Sequence, residues 1–87
     1  MTAQSGRNEI IVGNKPLSNY QGFVCSLLKN AELQCFLIKG YGHNISKAMV
    51  LMDWIRKKFP YKLKDLKETR SLRGYIGIEI RMNRSKH

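Results

Sequence analysis

Acidic side chains are scarce in this chain: six Asp and Glu stand against sixteen Lys and Arg in 87 residues, for a formal net charge of +10. The shortage is uneven. Residues 1–43 carry four basic and two acidic side chains, whereas residues 44–87 carry twelve and four. The carboxylates, Glu9, Glu32, Asp53, Asp65, Glu68 and Glu79, are scattered, without the repeated close spacing that holds a metal ion or pairs an acid with a base. Cysteine is almost absent. Cys25 and Cys35 sit in the apolar contexts FVCSLL and LQCFLI and are expected to be reduced core residues. Two cysteines alone make no zinc site, and His43 has no Cys or His at ligand spacing. Long apolar runs are missing as well: none approaches the roughly 20 residues of a membrane span, so no membrane partner is expected. The start, MTAQSGRNE, lacks the apolar centre of a signal peptide, and the chain is expected to stay inside the cell. No enzyme, cofactor or metal is expected from this inventory.

What is present is a hydrophobic content of 43%, ordinary for a folded chain and enough for one modest core. Residues 1–7 read as a loose N-terminal arm, residues 8–83 as a single domain and residues 84–87 as a basic tail. Glu9, Ile10, Ile11 and Val12 read as a strand, broken by Gly13, Asn14, Lys15 and Pro16. Tyr20, Phe23, Val24, Leu27 and Leu28 then recur at spacings of three and four, which predicts an amphipathic helix over 18–30 with those residues inward and Asn30 at its exit. The run Cys35, Phe36, Leu37, Ile38 within residues 33–39 predicts a central strand, covered by helices or by a partner. A second helix is expected from a cap at Asn44 to Phe59 and Pro60, with Ile45, Ala48, Met52, Ile55 and Phe59 on its core face. Residues 62–70 form a weakly patterned basic segment, expected as a strand. Residues 75–82 alternate cleanly, with Ile76, Ile78, Ile80 and Met82 on one face and Tyr75, Gly77, Glu79 and Arg81 on the other. The expected fold is α/β, specifically an α+β two-layer sandwich of order βαβαββ with a mixed four-stranded sheet and two helices.

The stretch that organises the chain is IKGYGHNISKA, residues 38–48. A strand runs into Gly40-Tyr41-Gly42-His43 and a helix opens at Asn44, aiming backbone N–H groups at whatever docks there. The loop matches neither a Walker motif nor the dinucleotide GxGxxG, and it lacks the GxxG of a KH clamp. Lys15 and Lys47 are candidate phosphate partners, Tyr41 can stack on a sugar or base, and His43 can donate a hydrogen bond. Arg70, Arg73 and Arg81 lie on or near the last hairpin, where a basic ribbon can follow a groove. Lys47 and the arginines are also compatible with an ordinary solvated surface, and Tyr41 with a loop aromatic packed on the edge of the domain. On the second helix, Val50 and Trp54 fall roughly opposite the core stripe; they are either scattered exposed apolars or a dimer interface, and the interface is favoured because aromatic residues are enriched there.

These residues resemble the Alba family of small chromatin and RNA-binding proteins. Three blocks carry the resemblance between residues 8 and 82: NEIIVGNKPLSNY, LIKGYGHNISKAM, and IRKKF with IGIEIRM. It implies a βαβαββ domain like the C-terminal domain of bacterial translation initiation factor three. It also implies a homodimer that binds double-stranded DNA, RNA or both with little sequence preference. By position, the implied binding residues are Asn14, Lys15, Asn19, Tyr41, Gly42, His43, Asn44 and Lys47, with Arg70, Arg73 and Arg81 on the arms. Asn14 stands where relatives carry the first of two lysines, their reported acetylation site. Relatives often have arginines where this chain has Tyr41 and His43, which suggests weaker phosphate clamping or a shift towards stacking and RNA. Phe59 matches an aromatic that joins dimers side by side. The last hairpin is expected to be short, because Arg70 reaches Gly74 within a few residues.

The expected partners are therefore DNA and/or RNA and a second copy of the chain or an Alba-like paralogue. The alternative is a scaffold subunit of a ribonucleoprotein such as ribonuclease P, in which Val50 and Trp54 meet a different chain. The expected location is the cytoplasm, associated with the chromosome or nucleoid, or the nucleus in a eukaryote.

Overall fold

The computed structural model describes residues 8–29 and 33–85; the arm expected at residues 1–7 and the helix exit at Asn30 lie outside the described residues. The chain order is β1 (Glu9–Val12), α1 (Leu17–Leu27), β2 (Cys35–Tyr41), a single 3₁₀ turn (Gly42–Asn44), α2 (Ile45–Lys58), β3 (Tyr61–Arg70) and β4 (Ile76–Arg84). The strands form one mixed sheet in the order β1-β2-β4-β3. β1 runs parallel to β2, and β4 is antiparallel to both β2 and β3. The expected βαβαββ order and two-layer class are what the structure shows.

Period-two patterning decides which face of the sheet the helices cover. Ile10 and Val12 of β1, Phe36 and Ile38 of β2, and Ile80 and Met82 of β4 join Tyr20 and Val24 of α1 and Ala48, Leu51, Met52 and Ile55 of α2 in one buried cluster. Leu51, which the expected stripe omitted, is fully buried, while Ile45 and Phe59 at the two ends of that stripe are half-buried. β2 is central, as expected. Its Leu37 lies outside the cluster, on the face away from the helices, yet is only 8% exposed. Tyr61 closes the far end: its ring meets Phe36 edge-on at 5.2 Å, and its hydroxyl donates to the Leu33 carbonyl at 2.7 Å.

Four inward assignments are corrected. Phe23 is 64% exposed; the residues of α1 that the core buries are Tyr20 and Val24. Cys25 and Cys35 are both exposed rather than core: Cys25 falls beyond the buried edge of α1, and Cys35 opens β2 on its outward side. Ile76 is 49% exposed, since β2 ends its pairing at Tyr41 with Gly77, so that residues 70–76 extend past it and pair only with each other.

Local chemistry sets the element ends. Phe59 precedes Pro60, which disfavours helical backbone; it adopts φ −131°, ψ 156°, and α2 stops at Lys58. Arg56, Lys57 and Lys58 in that last turn complement the helix dipole. Gly40 is required by space: an added Cβ would sit 2.8 Å from the Asn44 carbonyl oxygen and 3.0 Å from the Ala48 Cβ. The start of α2 therefore rests directly on β2. Gly42 takes φ +59°, the left-handed conformation that turns strand into helix. At the other end of the chain, Arg84 belongs to β4 and the Ser85 N–H donates to the Pro60 carbonyl at 2.7 Å. The sheet thus extends into the segment expected to be tail.

Candidate functional site

The parallel pairing of β1 with β2 brings their C-terminal ends together, and the antiparallel β4 begins at the same edge. Three separate segments therefore meet at one end of the sheet: the loop after β1, the turn after β2, and the β3–β4 hairpin. Lys47, in the first turn of α2, joins the first two. Its Nζ donates to the Gly13 carbonyl at 2.9 Å and the Lys15 carbonyl at 2.7 Å, and lies 5.9 Å from the centre of the Tyr20 ring. The Gly13 N–H donates to the Tyr20 hydroxyl at 2.8 Å. His43 Nε2 lies 3.0 Å from Asn14 Oδ1, within hydrogen-bond distance.

These bonds change what Lys47 does. Two of its three donors are committed to main-chain carbonyls, so its first effect is to hold the 13–16 loop against α2. The Lys15 side chain on that loop is exposed, as is Asn19 in the first turn of α1, whose N–H donates to the Pro16 carbonyl. Asn44 is also corrected. Its backbone is helical and its side chain makes no capping bond; instead Oδ1 is buried with no hydrogen-bond partner.

The hairpin contributes the third wall. Its tip is closed by Ser71 N–H to the Tyr75 carbonyl at 2.9 Å, Tyr75 N–H to Ser71 Oγ at 3.0 Å and Arg70 Nη1 to the Gly74 carbonyl at 3.2 Å. Arg70 and Arg73 are both exposed there. The loop is tight, as expected, but the hairpin is not short: β3 has 10 residues and β4 has 9. Just below its tip, Gly77 pairs with Tyr41 of β2, and a Cβ on Gly77 would collide with the Tyr41 ring. Tyr41 thus lies across a strand glycine that leaves room for it. Asn14, Tyr41, Gly42, His43, Asn44 and Tyr75 line an open pocket of about 340 Å³ at this junction.

The electrostatics of this end are one-sided. Among the described residues, ion pairs join Glu9 to Lys39, Asp53 to Lys57 and Glu79 to Arg81, the last at 4.0 Å, and none involves Lys15, Lys47, Arg70 or Arg73. Arg81 is not part of this cluster. It sits on the sheet face away from the helices, opposite Leu37 and Asp65. Val50, Trp54 and Phe59 lie apart on α2: Val50 is 53% exposed, whereas Trp54 is half-buried with its ring edge-on to Phe59 at 5.6 Å. The sequence reading missed two contributors. Tyr75 faces the pocket, placed there only by the hairpin register. Lys62, Lys64 and Lys67 project from β3, an edge strand whose register shifts between Leu63 and Asp65. Their density in KLKDLK was the available signal.

Comparison with known proteins gives the lineage. No curated protein sequence matches the chain. Among solved structures, Alba from Thermoplasma volcanium superposes with a TM-score of 0.72 at 31% identity, covering 88% of this chain and 100% of that one. The structure of ALBA1 from Trypanosoma brucei superposes with a TM-score of 0.74 at 16% identity, covering 92% of this chain and 72% of that one. The Alba family model matches residues 8–71. The chain belongs to the Alba family, a family of nucleic-acid-binding proteins.

Proposed function

We propose that this chain is a non-enzymatic, largely sequence-independent nucleic-acid binder that works as a homodimer on DNA and/or RNA inside the cell. The observation that carries this reading is the convergence of three segments at one end of the sheet, with Lys15, Arg70 and Arg73 on two of them, Lys47 fastening the loop after β1 to α2 and, among the described residues, no carboxylate paired with any of these cations. Fixed cations on a pre-formed surface suit phosphates, whose spacing does not depend on sequence. The basic β3 edge extends the same field along one side of the molecule.

The contact surface for a second copy is the outer stripe of α2. Val50 and Met49 are exposed there beside a half-buried Trp54, an apolar surface that a monomer has no reason to show. Phe59, packed on Trp54, ties this stripe to the end of the helix.

The test is affinity for a labelled duplex as salt rises. Each phosphate neutralised releases counterions and steepens the fall of log K with log salt by about 0.9. Lys15→Ala is expected to lower that slope by about one at every duplex sequence tried. An affinity that stays flat over a fourfold rise in salt would end the phosphate reading.

A further inference from the structure

The pocket of about 340 Å³ among Asn14, Tyr41, Gly42, His43, Asn44 and Tyr75 contains no lysine, arginine or carboxylate. The side-chain cations Lys15, Lys47, Arg70 and Arg73 are not among its lining residues. Its walls are two tyrosines, one imidazole and two carboxamides. Its volume falls in the range of roughly 300–1,000 Å³ typical of pockets for small organic ligands. Aromatic surface with a few polar groups, set at the margin of a basic surface, is how proteins hold the unpaired bases of a single strand.

Three details sharpen the match. Tyr41 is held in place because Gly77 leaves room beneath it, so one aromatic wall exists before any ligand arrives. Tyr75 is 59% exposed and its backbone is pinned by Ser71, which leaves the ring presented but free to settle on a ligand. Asn14 and His43, whose Oδ1 and Nε2 lie 3.0 Å apart, add polar groups to the wall of the kind that pair with the edge of a base.

The geometry points to this pocket as the seat of one unpaired nucleobase, so that single-stranded RNA or DNA is gripped by base as well as by backbone. This inference rests on the nucleic-acid reading above but goes beyond it, because a purely phosphate-directed surface is indifferent to whether bases are present. A base in a duplex is stacked and paired and does not reach the pocket.

The experiment compares, at one salt concentration, a short RNA strand, the DNA strand of the same sequence, their duplexes, and an abasic strand that keeps the phosphates but lacks bases. For the wild-type chain, the abasic strand is expected to bind about fivefold to tenfold more weakly than the base-bearing strand, the loss of roughly one base–aromatic contact. Tyr75→Ala is expected to lower single-strand affinity by a similar factor, to lower duplex affinity by clearly less, and to leave the melting temperature unchanged. Tyr75→Phe is expected to restore single-strand binding. A loss seen with RNA, DNA or both supports the pocket and identifies the strand it serves. Equal affinity for abasic and base-bearing strands overturns the inference while leaving the phosphate reading intact. Absence of binding to every strand and duplex overturns both.

Discussion

Lys47 and Lys15 are both basic residues at loop–helix junctions, and the structure gives them different tasks. Lys47 sits where its charge opposes the dipole of α2, but two main-chain carbonyls accept hydrogen bonds from its ammonium group. Lys47→Met should therefore act first on stability. Losing two hydrogen bonds from a charged donor costs about 2 kcal/mol, which lowers the melting temperature of a domain this size by roughly 10 °C. Lys15→Ala should leave the melting curve alone and act only on binding. Finding the reverse order by differential scanning calorimetry and titration would mean that the 13–16 loop does not depend on Lys47. Gly77 allows a second test at this scale. Gly77→Val places branched carbons where the Tyr41 ring lies; displacement of the ring and the neighbouring strand should destabilise the fold by about 2 kcal/mol. An unchanged urea midpoint would show that Tyr41 is not seated on that glycine.

Among the elements, the β3–β4 hairpin is the one whose role depends most on its surroundings. Ile80 and Met82 are core because helices cover that part of β4, whereas Ile76 is exposed because the strand has run beyond them. The same alternation in sequence thus has two outcomes along one strand. Lys62, Lys64 and Lys67 guard an edge that could otherwise pair with another strand, and the register shift beside Lys64 serves the same end. They also extend the basic surface. Replacing all three with glutamine should leave the melting temperature within a few degrees and reduce the salt slope of duplex binding by up to about three. An unchanged slope would restrict these lysines to edge protection. For α2, the buried face is decided by packing rather than by charge. Ile55→Ala removes a fully buried side chain from the centre of the cluster and should cost about 3 kcal/mol in urea unfolding.

The whole molecule is small, with a Cα radius of gyration of 12.6 Å, and one face of its sheet is left without a helical cover. A single copy offers only a few cations to a polyanion; two copies joined through α2 double that number on one rigid body. Val50→Glu should therefore convert a dimer into a monomer in light scattering, and should weaken duplex binding by about tenfold or more through loss of the second site. A wild-type chain that is monomeric alone but assembles with a different chain would instead support the ribonucleoprotein reading.

The sequence by itself determined the order of elements, because the period of the apolar residues switches from two to about 3.6 and back at clear glycine and proline breaks. It also marked the 41–47 corner and the basic second half, since glycines and charges are read directly from composition. Tertiary structure decided the rest. Whether Cys25, Phe23 or Ile76 is inside depends on which neighbouring element reaches far enough to cover it, and periodicity carries no record of reach. Whether Lys47 faces a ligand or a carbonyl depends on a loop more than thirty residues away. The pocket existed in no local stretch: Asn14, Tyr41 and Tyr75 meet only because β1 and β2 end where β4 begins, at one edge of the sheet.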